Sequence, residues 1–182
     1  MTLRRIRTLL GEAWLVLGLS LVFGSALAGV ELGLKPLIDQ NKRNETFSRI
    51  PSLVPGALSA TSSEVELAGR VVFEARNVDG AQVGWVVPAA GQGFADRIEV
   101  LIGLDLEASR ILGIFVLDQK ETPGLGDFIT DEERFRKWYR GQSTADALAV
   151  VKTAPEPGTG KIRALTGATI SSSQLSPYFL RR

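Results

Sequence analysis

The chain has 182 residues, with 21 basic and 20 acidic side chains, a formal net charge of +1, and neither cysteine nor histidine. Balanced charge and the lack of any basic stripe interleaved with aromatics give no footprint for nucleic acid. Cys-ligated iron–sulfur clusters, c-type haem, Cys-based zinc sites, disulfides and Ser-His-Asp or Cys-His nucleophiles are all excluded within this chain, so redox work would need an organic cofactor.

Arg4, Arg5 and Arg7 open the sequence, and Ala13 to Val30 carries no charge. With Leu9, Leu10 and the Leu32-Gly33-Leu34 tail, residues 9–34 reach the ~20 apolar residues a transmembrane helix needs. The arginines keep residues 1–8 cytoplasmic and place the rest outside the cytoplasm. Ala26-Leu27-Ala28 also fits the cleavage site of a signal peptide, but the length of the run favours a retained anchor. Both readings export the remainder of the chain. Residues 35–63 read as a connection, interrupted by Pro36, Pro51 and Pro55, with a short helix between Leu37 and Arg49 and then a loop. The soluble domain is predicted to span residues 64–182.

Strands come next. Runs 71–76 and 83–87 flank Asp79-Gly80, a type I′ hairpin signal. Gly91-Gln92-Gly93 breaks the chain before the apolar runs 97–104 and 111–117, which a polar turn joins. Gly91-Gln92-Gly93 opens no helix and is not a dinucleotide fingerprint. The run 111–117 is almost unbroken apolar, so it is expected to be central and covered on both faces. Meandering hairpins of this kind predict an α+β fold, a twisted, mainly antiparallel sheet with flanking helices. Thr130-Asp131-Glu132-Glu133 matches a capping box, and Phe135, Trp138 and Tyr139 follow at helical spacing until Gly141. Those aromatics are read as core rather than as groups that stack on a ligand. Residues 147–151 and 161–165 read as short strands around a Pro/Gly loop, and a short helix from Ile170 ends before Pro177.

Two motifs carry the chemistry. Glu121-Thr122-Pro123-Gly124-Leu125-Gly126 is a loop whose proline fixes φ while its glycines let backbone approach a ligand. Leu165-Thr166-Gly167-Ala168-Thr169-Ile170-Ser171-Ser172-Ser173 offers a sharp turn, hydroxyls and unpaired amides at a helix start, a setting suited to phosphate. An ordinary N-cap after a strand is the plainer reading of the second motif taken alone.

Together and in this order, the two motifs make the second half of the chain resemble the FMN-binding domain of the Rnf complex G subunit and the Nqr complex C subunit. The resemblance implies FMN held through a phosphoester on the last threonine of the S/T-G-A-T motif, here Thr169. Thr166, Gly167 and Ala168 would then surround the phosphate, and Glu121, Thr122, Leu125 and Gly126 would line the ring or ribityl chain. It implies a separate flavin transferase, no catalytic side chain and no metal. Other membrane subunits of an Rnf-like complex become the expected partners, and an inner-membrane anchor with an extracytoplasmic domain the expected location. The implied function is electron transfer within an ion-translocating ferredoxin:NAD oxidoreductase. The alternatives are a flavin domain of another exported electron-transfer chain, and a non-redox assembly module that has lost its flavin. The family usually has an acidic residue six positions before the flavinylated threonine, and Arg163 stands there.

Overall fold

The computed structural model describes residues 3–124, 126–145, 148–156 and 158–163, with the backbone alone for 3–10 and 12. The chain forms two compact units, residues 1–43 and 44–182.

The first unit is helical. Helix α1 (Leu3–Leu53) begins in it and ends in the second unit. Trp14, Phe23, Leu27 and Leu32 are exposed, and none of the described residues buries the apolar run. Eighteen residues from Ala13 to Val30 rise ~27 Å as a helix, close to the ~30 Å of a bilayer's hydrocarbon core. The helix runs on past residue 34 into the segment expected to be interrupted by prolines. Pro36 and Pro51 both lie inside α1. Proline removes one N–H and crowds the preceding turn, and here the neighbouring turns carry the helix past both positions.

In the second unit the last turns of α1 present Phe47, Ile50 and Leu53 on one face at spacings of three. Ile50, Leu53, Val54 and Ala57 are buried against Phe73, Ala75, Val86 and Leu101 of a sheet. The approach is close. A Cβ on Gly103 would lie 2.5 Å from Leu53 O, so only glycine lets the helix end settle there. Phe47 meets Phe73 edge-on, with ring centroids 5.1 Å apart.

The sheet comprises β1 (Leu58–Leu67), β2 (Arg70–Arg76), β3 (Gln82–Gln92), β4 (Arg97–Leu104) and β5 (Ile111–Asp118). The strands lie in sequence order, and every neighbouring pair is antiparallel. This is the α+β architecture that the hairpin pattern predicts. The β2–β3 turn is not type I′. Of its residues only Gly80 has positive φ, Gly80 N donates to Asn77 O at 3.0 Å, and Asn77 Oδ1 accepts from Asp79 N and Ala81 N. Type I′ needs two left-handed residues, and the Asn77 side chain instead stabilises a longer connection.

On the sheet's other face Ile98, Val100, Ile102, Ile111, Ile114 and Val116 form a second core with Ile129, Phe135, Tyr139, Leu148 and Ile162. Strand β5 is covered on both faces, as its apolar run predicts, because Leu112, Phe115 and Leu117 pack into the first core. It is nevertheless an edge strand. Its outer carbonyls are met by guanidinium groups: Arg136 donates to Ile114 O at 3.4 Å and Arg140 to Leu112 O at 3.2 Å. Glu132 pairs with both arginines. Paired cations along an edge block further strand addition.

The helix expected from Thr130 to Gly141 is replaced by two 3-10 segments, Gly126–Thr130 and Arg136–Tyr139. Asp131 Oδ1 accepts from Arg134 N at 3.0 Å, so Asp131 rather than Thr130 caps the turn. Phe135 and Tyr139 are fully buried and meet edge-on at 5.2 Å, which is core packing. Strands β6 (Ala149–Val151) and β7 (Lys161–Arg163) pair in parallel as a separate two-stranded sheet.

Candidate functional site

The loop 121–126 leaves the end of β5 and is tied to the β3–β4 connection. Glu121 is buried, and its Oε1 accepts from Ala95 N at 3.1 Å. Two glycines wall it in. A Cβ on Gly126 would lie 2.6 Å from Glu121 Cβ and Oε2, and one on Gly93 would press on Glu121 Oε1 while sitting 2.7 Å from Asp96 O. Gly93 N donates to Asp96 O, and Lys120 Nζ pairs with Asp96 at 2.9 Å. Hydrogen bonding from Lys120, then from the Arg97 amide, holds the Asp96 carboxyl below its ordinary pKa. The Glu121 side chain is thus built into the loop's attachment. Thr122 is exposed, and its carbonyl accepts from Gly126 N at 3.1 Å. Gly124 has φ +78, so the loop takes the left-handed turn its glycine permits.

At the other end of β5 a second buried polar side chain gathers the chain. Gln142 O accepts from Ile111 N, and Gly141 N donates to Ile111 O at 2.7 Å. Gln142 Nε2 donates to Trp138 O at 3.0 Å and to Lys161 O at 2.9 Å, and Oε1 accepts from Gly160 N at 2.9 Å. This junction holds β7. Ile162 is fully buried, while Arg163 is exposed and pairs with Val151. Thr166, Gly167, Ala168 and Thr169 come next in sequence and, with Leu125, lie outside the described residues. Sequence reading missed Gln142. A glutamine after a helix-stopping glycine gives no local signal of burial.

Over β3 and β4 the second face of the sheet carries a groove of about 890 Å³, floored by Val87, Ala89, Ile102 and Leu104 and rimmed by Ser109 and Thr144. Arg70, Arg97 and Glu107 also line it, so its walls are charged as well as apolar. At the β4–β5 turn beside it, burial pulls the Asp105 carboxyl upward, but hydrogen bonds from Ser109 and the Arg110 amide outweigh this and lower its pKa. Among the described residues no cluster of carboxylates could hold a metal ion. Glu121, Thr122 and Gly126 do not line the groove.

Residues 93–176 match the family model of the FMN-binding domain. Over 139 residues the chain is 34% identical to the G subunit of the ion-translocating oxidoreductase complex of Methanosarcina acetivorans, covering 75% of this chain and 70% of that protein. The chain belongs to the family of G subunits of ion-translocating oxidoreductase complexes. A second relative, the G subunit of the proton-translocating ferredoxin:NAD(+) oxidoreductase complex of Clostridium ljungdahlii, is 34% identical over 94 residues; there the match spans 52% of this chain and about half (48%) of the relative. NqrC of Shewanella oneidensis shares the fold at a TM-score of 0.56 and 24% identity, covering 68% of this chain and 64% of that one. The C subunit of the Na(+)-translocating NADH-quinone reductase from Parabacteroides distasonis aligns at 0.52 and 28%, over 60% and 56% of the two chains. The FMN-binding match takes in the ETPGLG loop, the Gln142 junction, β7 and the segment through Thr169. This member of the G subunit family therefore has an FMN-binding domain and, among the described residues, one helix long and apolar enough to cross a membrane.

Proposed function

We propose that the chain is a membrane-anchored electron-transfer protein bearing FMN through a phosphoester on Thr169, within an ion-translocating ferredoxin:NAD oxidoreductase complex. The observation that carries this reading is the match to a G subunit across three quarters of the chain, beside the FMN-binding domain matched over residues 93–176. Bound isoalloxazine exchanges electrons singly or in pairs, so the protein's tasks are to anchor and orient it. Thr169 is the attachment point. A separate flavin transferase supplies an activated flavin nucleotide: Thr169 Oγ bonds to phosphorus, its proton is lost, and the donor's leaving group departs. Thr166, Gly167 and Ala168 offer a hydroxyl and backbone amides to the phosphate. Thr122, Leu125 and Gly126 line the flavin, and Glu121 contributes by holding their loop in place. The arginines before the anchor keep residues 1–8 in the cytoplasm and put the FMN-binding domain outside it. Other membrane subunits of the complex are the electron donor and acceptor.

Two measurements test this. With the full chain co-expressed with a flavin transferase, flavin fluorescence survives denaturing electrophoresis and vanishes in Thr169→Ala; persistent fluorescence would move the attachment, with Thr166 next in line. Alkaline phosphatase fused after Arg182 is active in cells, whereas an inactive fusion would place the domain in the cytoplasm.

A further inference from the structure

We propose that Gln142 is a positioning residue, fixing strand β7, whose last residue lies six positions before the threonine read as the flavin's attachment. The proposal rests on the reading of Thr169 as the flavin's attachment, but its first test does not.

Gln142 is 1% exposed, and its side chain donates two hydrogen bonds and accepts one. Its partners dictate the amide's orientation, since Gly160 N–H requires an acceptor while Trp138 O and Lys161 O require donors. One side chain therefore joins a 3-10 segment to Lys161, the first residue of β7, and to Gly160 just before it. Its own backbone is bonded to Ile111 at the start of β5, and its N–H donates to Tyr139 O. Among the described residues strand β7 is short: three residues, one parallel neighbour of three residues, the buried side chain of Ile162, and a bond from Ala149 N to Gly160 O just before it. Three-residue strands are weak in isolation. Thr169 lies six residues beyond Arg163. A modifying enzyme has to find that hydroxyl in attacking geometry, and small misplacements slow group transfer steeply. The clamp at Gly160 and Lys161 sets where that segment begins.

Gln142→Leu keeps the bulk and removes all three side-chain bonds. Gln142→Glu keeps the acceptor for Gly160 but turns an oxygen toward two carbonyls. Val86→Ala, in the other core on the opposite face of the sheet, is the control for general destabilisation. The first readout is amide hydrogen exchange across residues 160–163 in the full chain. Both Gln142 variants should speed it by about tenfold or more, and Val86→Ala should leave it near wild type. The second is the FMN-bearing fraction by intact mass after co-expression with a flavin transferase, which should fall by about threefold or more in both Gln142 variants and not in Val86→Ala. Exchange in 160–163 that rises no more in the Gln142 variants than in Val86→Ala overturns the proposal, as does loosened β7 with an unchanged FMN fraction. A wild-type chain that never acquires FMN mass would instead contradict the attachment at Thr169, leaving the exchange result to decide the clamp.

Discussion

Two buried polar side chains sit at opposite ends of β5, and they differ in how they hold the domain. Glu121, 5% exposed, is wedged between Gly93 and Gly126 and binds a loop to a hairpin connection. Gln142, 1% exposed, is neutral and joins three segments through bonds to main-chain atoms. At the Glu121 end glycine supplies the space, so shape decides. At the Gln142 end an amide matches two acceptors and one donor, so hydrogen-bond complementarity decides. The two ends should therefore fail under different insults.

The largest effect should come from Gln142→Leu. It leaves Gly160 N–H, Trp138 O and Lys161 O without the side-chain partner each has now. At ~1–3 kcal/mol for each buried group left unpaired, and with some recovery by water, a loss of about 3 kcal/mol or more is expected. Denaturant unfolding of the full chain measures it, and a loss under ~1 kcal/mol would show that the junction does not depend on this amide. Gly126→Ala should be the next largest. Its Cβ would sit 2.6 Å from Glu121 Cβ and Oε2, and overpacking of this kind costs ~1–3 kcal/mol. A neutral outcome would mean that the Glu121 end is not set by shape. At the Gln142 end the matching change, Gly141→Ala, meets no neighbour within 4 Å, and its cost comes from the backbone alone, because Gly141 has φ +79.

The smallest effect sharpens the comparison with pH. Asp96 at the Glu121 end and Asp105 near the Gln142 end both have lowered carboxyl pKa values. A carboxyl depressed on folding contributes stability above its unfolded value, near 3.8, and loses it as pH falls through the lower folded value. Stability should therefore be flat above pH ~5 and decline below ~4. Asp105 accepts three hydrogen bonds, from Ser109 N, Ser109 Oγ and Arg110 N, against the Arg97 amide and the Lys120 ion pair at Asp96, so Asp105→Asn should flatten the acid limb more than Asp96→Asn. An acid limb unchanged in both variants would assign it to other carboxylates.

The same contrast explains how far sequence reading reaches. ETPGLG is visible because proline and two glycines mark a special backbone, and strands β2 to β5 are visible because apolar runs and turn residues alternate. The glycines of that loop read as room for a ligand, and what the structure places beside Gly126 is the Glu121 side chain. Gln142 is invisible because its partners lie 18 and 19 residues further on and arrive through two strands of three residues, too short to show a period. Strand β5 misleads for a related reason. Its apolar run reports covered faces, but its edge is occupied by Arg136 and Arg140 from another segment, which no local pattern records. Pro36 and Pro51 mislead in the opposite direction, since proline lowers the odds of helix without forbidding it.

The central claim is that this member of the G subunit family holds its flavin on one threonine of the segment beyond β7. Peptide mapping by mass spectrometry of the full chain, co-expressed with a flavin transferase and digested after denaturation, tests it most directly. The account predicts one peptide bearing the FMN mass, with fragment ions placing it on Thr169. FMN that is wholly released on denaturation, or found on any other residue, would contradict it.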